Sequence, residues 1–341
     1  MYKLRIHRFL FPLKKKWQML EKKNEQTPYQ KYDLQRIVSV RLPLHCLRKK
    51  LIPAYCEVRK DGKTVLIAPL LEKKRAKQCR EFLSYTGMTG FNIYDFIFDP
   101  QLEDEELKDC VLFLAGELGC STLLLDDLPE GSPLLKAFVP GQTEDMSVEC
   151  ESKENVSIHL DNGYESYFHS LSKQTRQNIR TAYHRMENDG LSYEVEYIFG
   201  KKLQRKDLLR ILEIYDSRRE NRYSVRYSFI RRFYERYLDY STAYQQKWPD
   251  NVYVLLRLNG EIRAFMSGIV FQDGHRALFL RIAMCKEDAR YSPGYVMINE
   301  MAKEFSKNTA ITDLDLSKGT EHYKLLLGGT IYPSYLIKVS M

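Results

Sequence analysis

Apolar positions in the last third of the chain change period several times, and each change marks an element. VYVLLRLNGEIRAFMSGIVF and HRALFLRIAMC are short, largely apolar runs bounded by turn signals, the mark of strands. Asn259-Gly260 supplies a tight hairpin turn between the first two strands. From Gly294 the period lengthens to that of a helix, with Met297, Ile298, Met301, Ala302 and Phe305 on one buried face. True alternation appears at 311–316, where Asp313 and Asp315 interleave with apolar residues, and a short helix at 321–327 precedes a last strand at 331–339.

The first half repeats this order. YCEVRKDGKTVLIAPLL reads as a hairpin turning on Asp61-Gly62, followed by strands at 82–85 and 93–98. Residues 102–118 predict a helix stopped by Gly119, with Leu107, Val111, Leu114 and Leu118 on one side, and 121–125 a short buried strand. VRKDGKTVLIA aligns over LRLNGEIRAFM, with the next helix and strand in matching places. A repeat at half the chain length is a duplicated domain. A length of 341 residues also favours two domains over one core. We place them at 1–150 and 151–341, in an α+β (mixed α/β) class with mostly antiparallel sheets flanked by helices. Between the copies, 170–190 predicts a helix that Ser172 caps and Gly190 ends. Two more helices are expected in the Arg- and Tyr-rich segment 203–240.

The net charge of +8 is spread along the chain and points to an anionic partner, such as a phosphorylated cofactor, a nucleotide-linked substrate, RNA or an acidic membrane face. Seven cysteines without CxxC spacing fit reduced thiols in the cytoplasm, and neither they nor the seven histidines show metal-ligand spacing. The N-terminus, MYKLRIHRFLFPLKKKW, is too short in apolar residues for a membrane span. It reads as a solvated strand or helix, with weak peripheral membrane contact as a second reading.

The chemistry-bearing residues gather near the C-terminus. Lys286, Arg290, Ser292, Pro293 and Gly294 make a basic turn that runs straight into a helix, whose first amides and positive dipole end favour a phosphate. Such a turn also serves as plain punctuation before a helix. The first copy has Asp99, Glu103, Asp104, Glu105 and Glu106 at the same place, which would repel a pyrophosphate. Lys173, Arg176, Arg180 and His184 form a basic stripe, either a solvated face or a seat for a substrate phosphate.

The second-half order of elements resembles the GNAT acyltransferase fold. The local wording, RQNI in a helix ending at Gly190, SPG at 292–294 and DLSKGTEHYK at 315–324, is similar to the acetyltransferase family associated with cellulose and other polysaccharide biosynthesis. More distantly it is similar to the Fem-type peptidyltransferases, also tandem GNAT-like proteins. The resemblance is strongest over 160–335. It implies that Arg290, Ser292, Pro293, Gly294 and Tyr295 hold the pyrophosphate of acyl-CoA (acetyl-CoA), and it places Asp315, Gly319, Glu321, Tyr323 and Lys324 at the reacting end. The superfamily's second small residue in the loop is missing here, where Tyr295 and Val296 stand.

Acyl transfer from a thioester needs a base, an oxyanion donor and a proton for the leaving thiolate. Glu321 as base if burial favours its protonated form, Lys324 at i+3 as oxyanion donor, and Tyr323 or Tyr291 as acid satisfy those needs. The same Glu and Lys also read as an ordinary surface pair worth about 0.2–0.5 kcal/mol. The expected enzyme is a cytoplasmic acyltransferase, with no metal, acting on an amine or hydroxyl of a sugar-nucleotide or cell-envelope precursor. Arg176, Arg180, Asp315 and Gly319 are expected to bind the substrate. The rival readings are a Fem-like transferase using aminoacyl-tRNA, and a non-catalytic binding module.

Overall fold

The computed structural model describes residues 1–22, 27–74, 80–84, 93–142, 146–217, 250–271 and 274–341. The chain opens with strand β1 (Tyr2–His7), a 3-10 turn (Phe11–Leu13), helices α1 (Lys14–Glu21) and α2 (Tyr32–Lys49), and a hairpin of β2 (Leu51–Lys60) and β3 (Lys63–Lys74). There follow β4 (Arg80–Leu83), β5 (Ile97–Phe98), α3 (Asp104–Leu118), β6 (Thr122–Pro129), α4 (Pro133–Ala137), β7 (Gly141–Gln142) and β8 (Ser147–His159). The second half runs α5 (Gly163–Ser170), α6 (Lys173–Asn188), β9 (Tyr193–Phe199), α7 (Arg205–Ser217), β10 (Asn251–Leu258), β11 (Glu261–Phe271) and β12 (Arg276–Met284). It closes with α8 (Pro293–Asn308), β13 (Asp313–Lys318), α9 (His322–Leu326) and β14 (Thr330–Ser340). The expected strand 93–98 shrinks to Ile97–Phe98, since only Leu66 and Ile67 of β3 pair with it. Beyond Ser217, the helical reading of 203–240 falls outside the described residues.

The duplication read from the sequence is repeated in backbone detail. Asp61 and Gly62 have φ of 50° and 86°, Asn259 and Gly260 49° and 80°, so both hairpins turn through two left-handed residues as a type I′ turn requires. Both carry a register shift at the same place before the turn, at Val58/Arg59 and at Leu256/Arg257. Strands β4 and β6 pair in parallel, as do β12 and β13, and the other described pairs are antiparallel.

By its contacts the chain divides into Met1–Glu154 with Pro333–Met341, and Asn155–Tyr332. The first unit's sheet runs β1-β2-β3-β4-β6 and ends on the C-terminal strand, where Ile337 faces Leu125 and Val339 faces Leu123. The second runs β9-β10-β11-β12-β13 and ends on the far part of β8, where Ile158 faces Leu314. Each unit therefore includes a strand segment from the other half of the sequence.

In the second unit both faces of the sheet are covered. Val252, Val254, Leu256 and Leu258 of β10 pack with Ile179 and Met186 of α6 and Met301 and Phe305 of α8, while Tyr253 and Leu255 meet Ile211 and Ile214 of α7. Each such side chain contributes about 1.5–3 kcal/mol by burial, so packing rather than helix propensity holds these helices. Ser172 caps α6 by accepting from the Thr175 amide at 3.0 Å. A polar seam ties α5 and α6 to α8: Tyr183 donates to Glu300 at 2.5 Å, and the buried Asn299 amide donates to Tyr183 at 2.9 Å.

Candidate active site

Strand β12 ends at Met284, and a 3-10 turn, Lys286–Tyr291, leads to Ser292, whose φ of 47° turns the chain sharply into α8. Pro293 then occupies the first helical position, where its missing N–H costs nothing. This loop is pinned from two sides. Arg263 of β11 grips Asp288 at 2.5 Å and Glu287 at 3.0 Å, so the acids in the loop are neutralised locally. From the end of α6, Asp189 accepts from Tyr291 at 2.6 Å and pairs with Arg290 at 3.0 Å, and Arg185 donates to the Arg290 carbonyl at 2.8 Å. The bond to Asp189, more than burial, raises the Tyr291 pKa and keeps its phenol protonated.

Against the loop lies a cavity of about 440 Å³ bounded by Ile282, Met284, Lys286, Ser292, Gly294, Tyr295 and Tyr323. Ser292, Pro293, Gly294, Tyr295 and Tyr323, singled out in the sequence, all line it. A Cβ built at Gly294 would meet only the Met284 methyl, at 3.5 Å, an ordinary contact. The protein's own packing therefore does not require glycine there, and a larger side chain would take its room from the cavity. The second helical position leaves the Gly294 amide without an acceptor inside the helix. Tyr295 is kept protonated by partial burial. The apolar floor (Ile282, Ala283, Met284) went unassigned in the sequence, although it lies on a strand that the apolar run HRALFLRIAMC identified.

The second group stands on β13, its turn and α9. Two positive φ values, 64° at Ser317 and 89° at Gly319, fold the turn back on itself. Lys324 is buried and spends its three protons there, on the carbonyls of Lys318 at 2.7 Å and Gly319 at 3.0 Å and on Glu321 Oε2 at 2.8 Å. Glu321 stands at the N-cap position of α9 without a side-chain cap bond and lies over Gly319, where an added Cβ would come within 2.9 Å of its carboxylate. Its side chain is 56% exposed, so the burial that the base role called upon is absent.

Other expected residues are engaged elsewhere. Asp315 is fully buried; its Oδ2 accepts from Arg276 at 2.8 Å and Tyr332 at 2.6 Å, and its Oδ1 from the Ser317 amide at 2.8 Å. Arg176 donates to the carbonyls of His169 and Leu171 and so closes the end of α5. The Arg180 guanidinium stands 5.8 Å from the Phe168 ring. Neither arginine lines the cavity; Arg185 and Asp189, which spacing did not single out, are the α6 residues that reach the loop. Among the described residues no group of three His, Cys, Asp or Glu side chains converges as a metal site.

Residues 173–325 match the family model described as "Acetyltransferase (GNAT) domain". No curated protein matches the sequence. Solved structures match over almost the whole length. FemX is 13% identical, covering 98% of this chain and 96% of its own, at a TM-score of 0.59. A conserved protein of unknown function from Bacteroides thetaiotaomicron VPI-5482 is 13% identical, covering 99% and 100%, at 0.56. L-PGS from Bacillus licheniformis is 11% identical, covering 95% and 90%, at 0.53. At such identities the likeness is one of fold. The matched segment holds the pinned loop, the residues lining the cavity and most of α9, and it fits a GNAT-fold acetyltransferase domain, set in a tandem α+β architecture of mostly antiparallel strands.

Proposed function

We propose that the second unit transfers an acyl group from acyl-CoA, held in the cavity beside α8, to an amine or hydroxyl acceptor. The observation that carries this reading is the cavity itself. It combines an apolar floor from the end of β12, the first turn of a long helix as its polar wall, and Tyr323 at its edge. An apolar slot suits the pantetheine and acyl chain, and the helix start with Lys286 and Arg290 near it suits the pyrophosphate. The acceptor's nitrogen or oxygen attacks the thioester carbonyl, the C–S bond breaks, and the thiolate leaves. Tyr323 supplies the thiolate's proton, and the exposed Glu321 takes the acceptor's proton through water. Lys324 acts as a positioning residue that holds the turn and Glu321 together.

The first unit is read as lacking an acyl donor. Its helix α3 begins with Asp104, Glu105 and Glu106, and Tyr94 and Phe96 just ahead of it are buried in the core. The SPG and DLSKGTEHYK wording, with RQNI in the helix of Arg176 and Arg180, favours a sugar-nucleotide or cell-envelope acceptor through the same resemblance. The reaction is read as cytoplasmic, the compartment that suits an acyl-CoA donor.

Calorimetric titration with acetyl-CoA and CoA tests the donor. Micromolar binding is expected, and Gly294→Glu should abolish it by filling the cavity and opposing the pyrophosphate. Absence of binding in the unsubstituted protein would remove CoA as donor. A second reading, aminoacyl transfer from tRNA, rests on the resemblance to the Fem-type peptidyltransferases and on the +8 charge. Salt-dependent binding of aminoacyl-tRNA without CoA affinity would select it. Uncharged RNA bound equally well, with no turnover, would point to a non-catalytic module.

A further inference from the structure

Phe9, Phe11 and Met19 are 77%, 81% and 70% exposed, although they stand in one short stretch. Among the described residues of the second unit no large apolar side chain passes 46%. Leu10, Leu13, Trp17 and Leu20 form the buried stripe of the helical path through α1. Phe11, Lys15, Met19 and Lys22 follow the same spacing on its exposed side. Lys15, Gln18, Met19 and Lys22 border one open hollow together with Glu21, whose carboxylate accepts the Tyr32 amide.

The charge around these side chains has one sign. Residues 1–22 hold Lys3, Arg5, Arg8, Lys14, Lys15, Lys16 and Lys22 against the single acid Glu21. Lys16 is spent on Glu57 and Arg8 on Glu72, whereas Lys14, Lys15 and Lys22 remain exposed. Protein interfaces are depleted in lysine at their centres, so a lysine-rich face with separate projecting apolar side chains is a poor match for a protein partner. It is a good match for the boundary of a bilayer, where rings enter among the headgroups and ammonium groups meet lipid phosphates. We infer that this face docks the protein on an anionic lipid bilayer, with Phe9, Phe11 and Met19 inserted and Lys14, Lys15 and Lys22 on the phosphates. The attachment is peripheral: no described helix is long and apolar enough to cross a membrane.

Flotation of the full chain with vesicles of phosphatidylcholine alone, and of phosphatidylcholine mixed with phosphatidylglycerol, tests this. The protein should float with the mixed vesicles, weakly or not at all with the neutral ones, and less as salt rises. Phe9→Ser/Phe11→Ser and Lys14→Glu/Lys15→Glu should each weaken the partition at least tenfold, with circular dichroism unchanged because all four side chains are exposed. Sedimentation of the same proteins is read alongside. Three results would overturn the inference: no flotation of the unsubstituted chain with anionic vesicles, undiminished flotation of both double variants, or a dimer that Phe9→Ser/Phe11→Ser converts to monomer. The last would assign the face to a second copy of the chain.

Discussion

Glu321 and Lys324 sit at i and i+3, and beyond the family resemblance that spacing is all the sequence offers about them. Spacing puts two side chains on one side of a helix but does not say which way an ammonium turns. Here the lysine turns inward to two carbonyls, and the glutamate stays at the surface. The two substitutions should therefore separate. Lys324→Ala leaves buried carbonyls without a donor and should cost about 1–3 kcal/mol of stability together with turnover. Glu321→Gln should lower kcat while leaving the melting temperature unchanged. Thermal unfolding and steady-state kinetics on both variants check this, and equal, small stability losses in the two would contradict the clamp. Ser292, Gly294 and Tyr295 were legible because they are local punctuation at a helix start. Ile282 and Met284 were not, because a strand pattern says nothing of what its end will face.

At the scale of elements, the hairpins were the most legible part of the fold, since Asp-Gly and Asn-Gly each prescribe one turn geometry. Irregularities inside strands were hidden. Strands β11 and β12 shift register at Ser267/Gly268, and there the two backbones crowd together: a Cβ at Gly268 would fall 2.0 Å from the Leu278 carbonyl oxygen. Gly268→Ala should destabilise the protein by at least ~2 kcal/mol, because backbone rather than a movable side chain must give way. Urea unfolding measures it, and an unchanged midpoint would mean that the strands part easily at this bulge. The pinned loop belongs to the same scale. Asp189 and Arg185 reach it from α6, while the regular four-residue stripe of that helix drew attention to Arg176 and Arg180 instead.

For the whole molecule, duplication was visible in the sequence, but the exchange of closing strands was not, because pairing between distant segments leaves no local mark. Ile337 and Val339 are fully buried against a strand of the first unit. A chain ending before Pro333 should lose amide-exchange protection in β6 while β10 and β11 keep theirs; intact protection of β6 would show that the last strand is dispensable. The exchange also bears on how the protein is made. As the ribosome releases the first half, β6 has an unfilled edge, and its partner, β14, is translated about two hundred residues later. At about 5–20 residues per second that wait is roughly ten to forty seconds, long enough for an open strand to recruit a neighbouring chain or a chaperone. The first unit thus matures only once β14 has emerged, and a premature stop ahead of Thr330 would release a chain in which β6 lacks that partner.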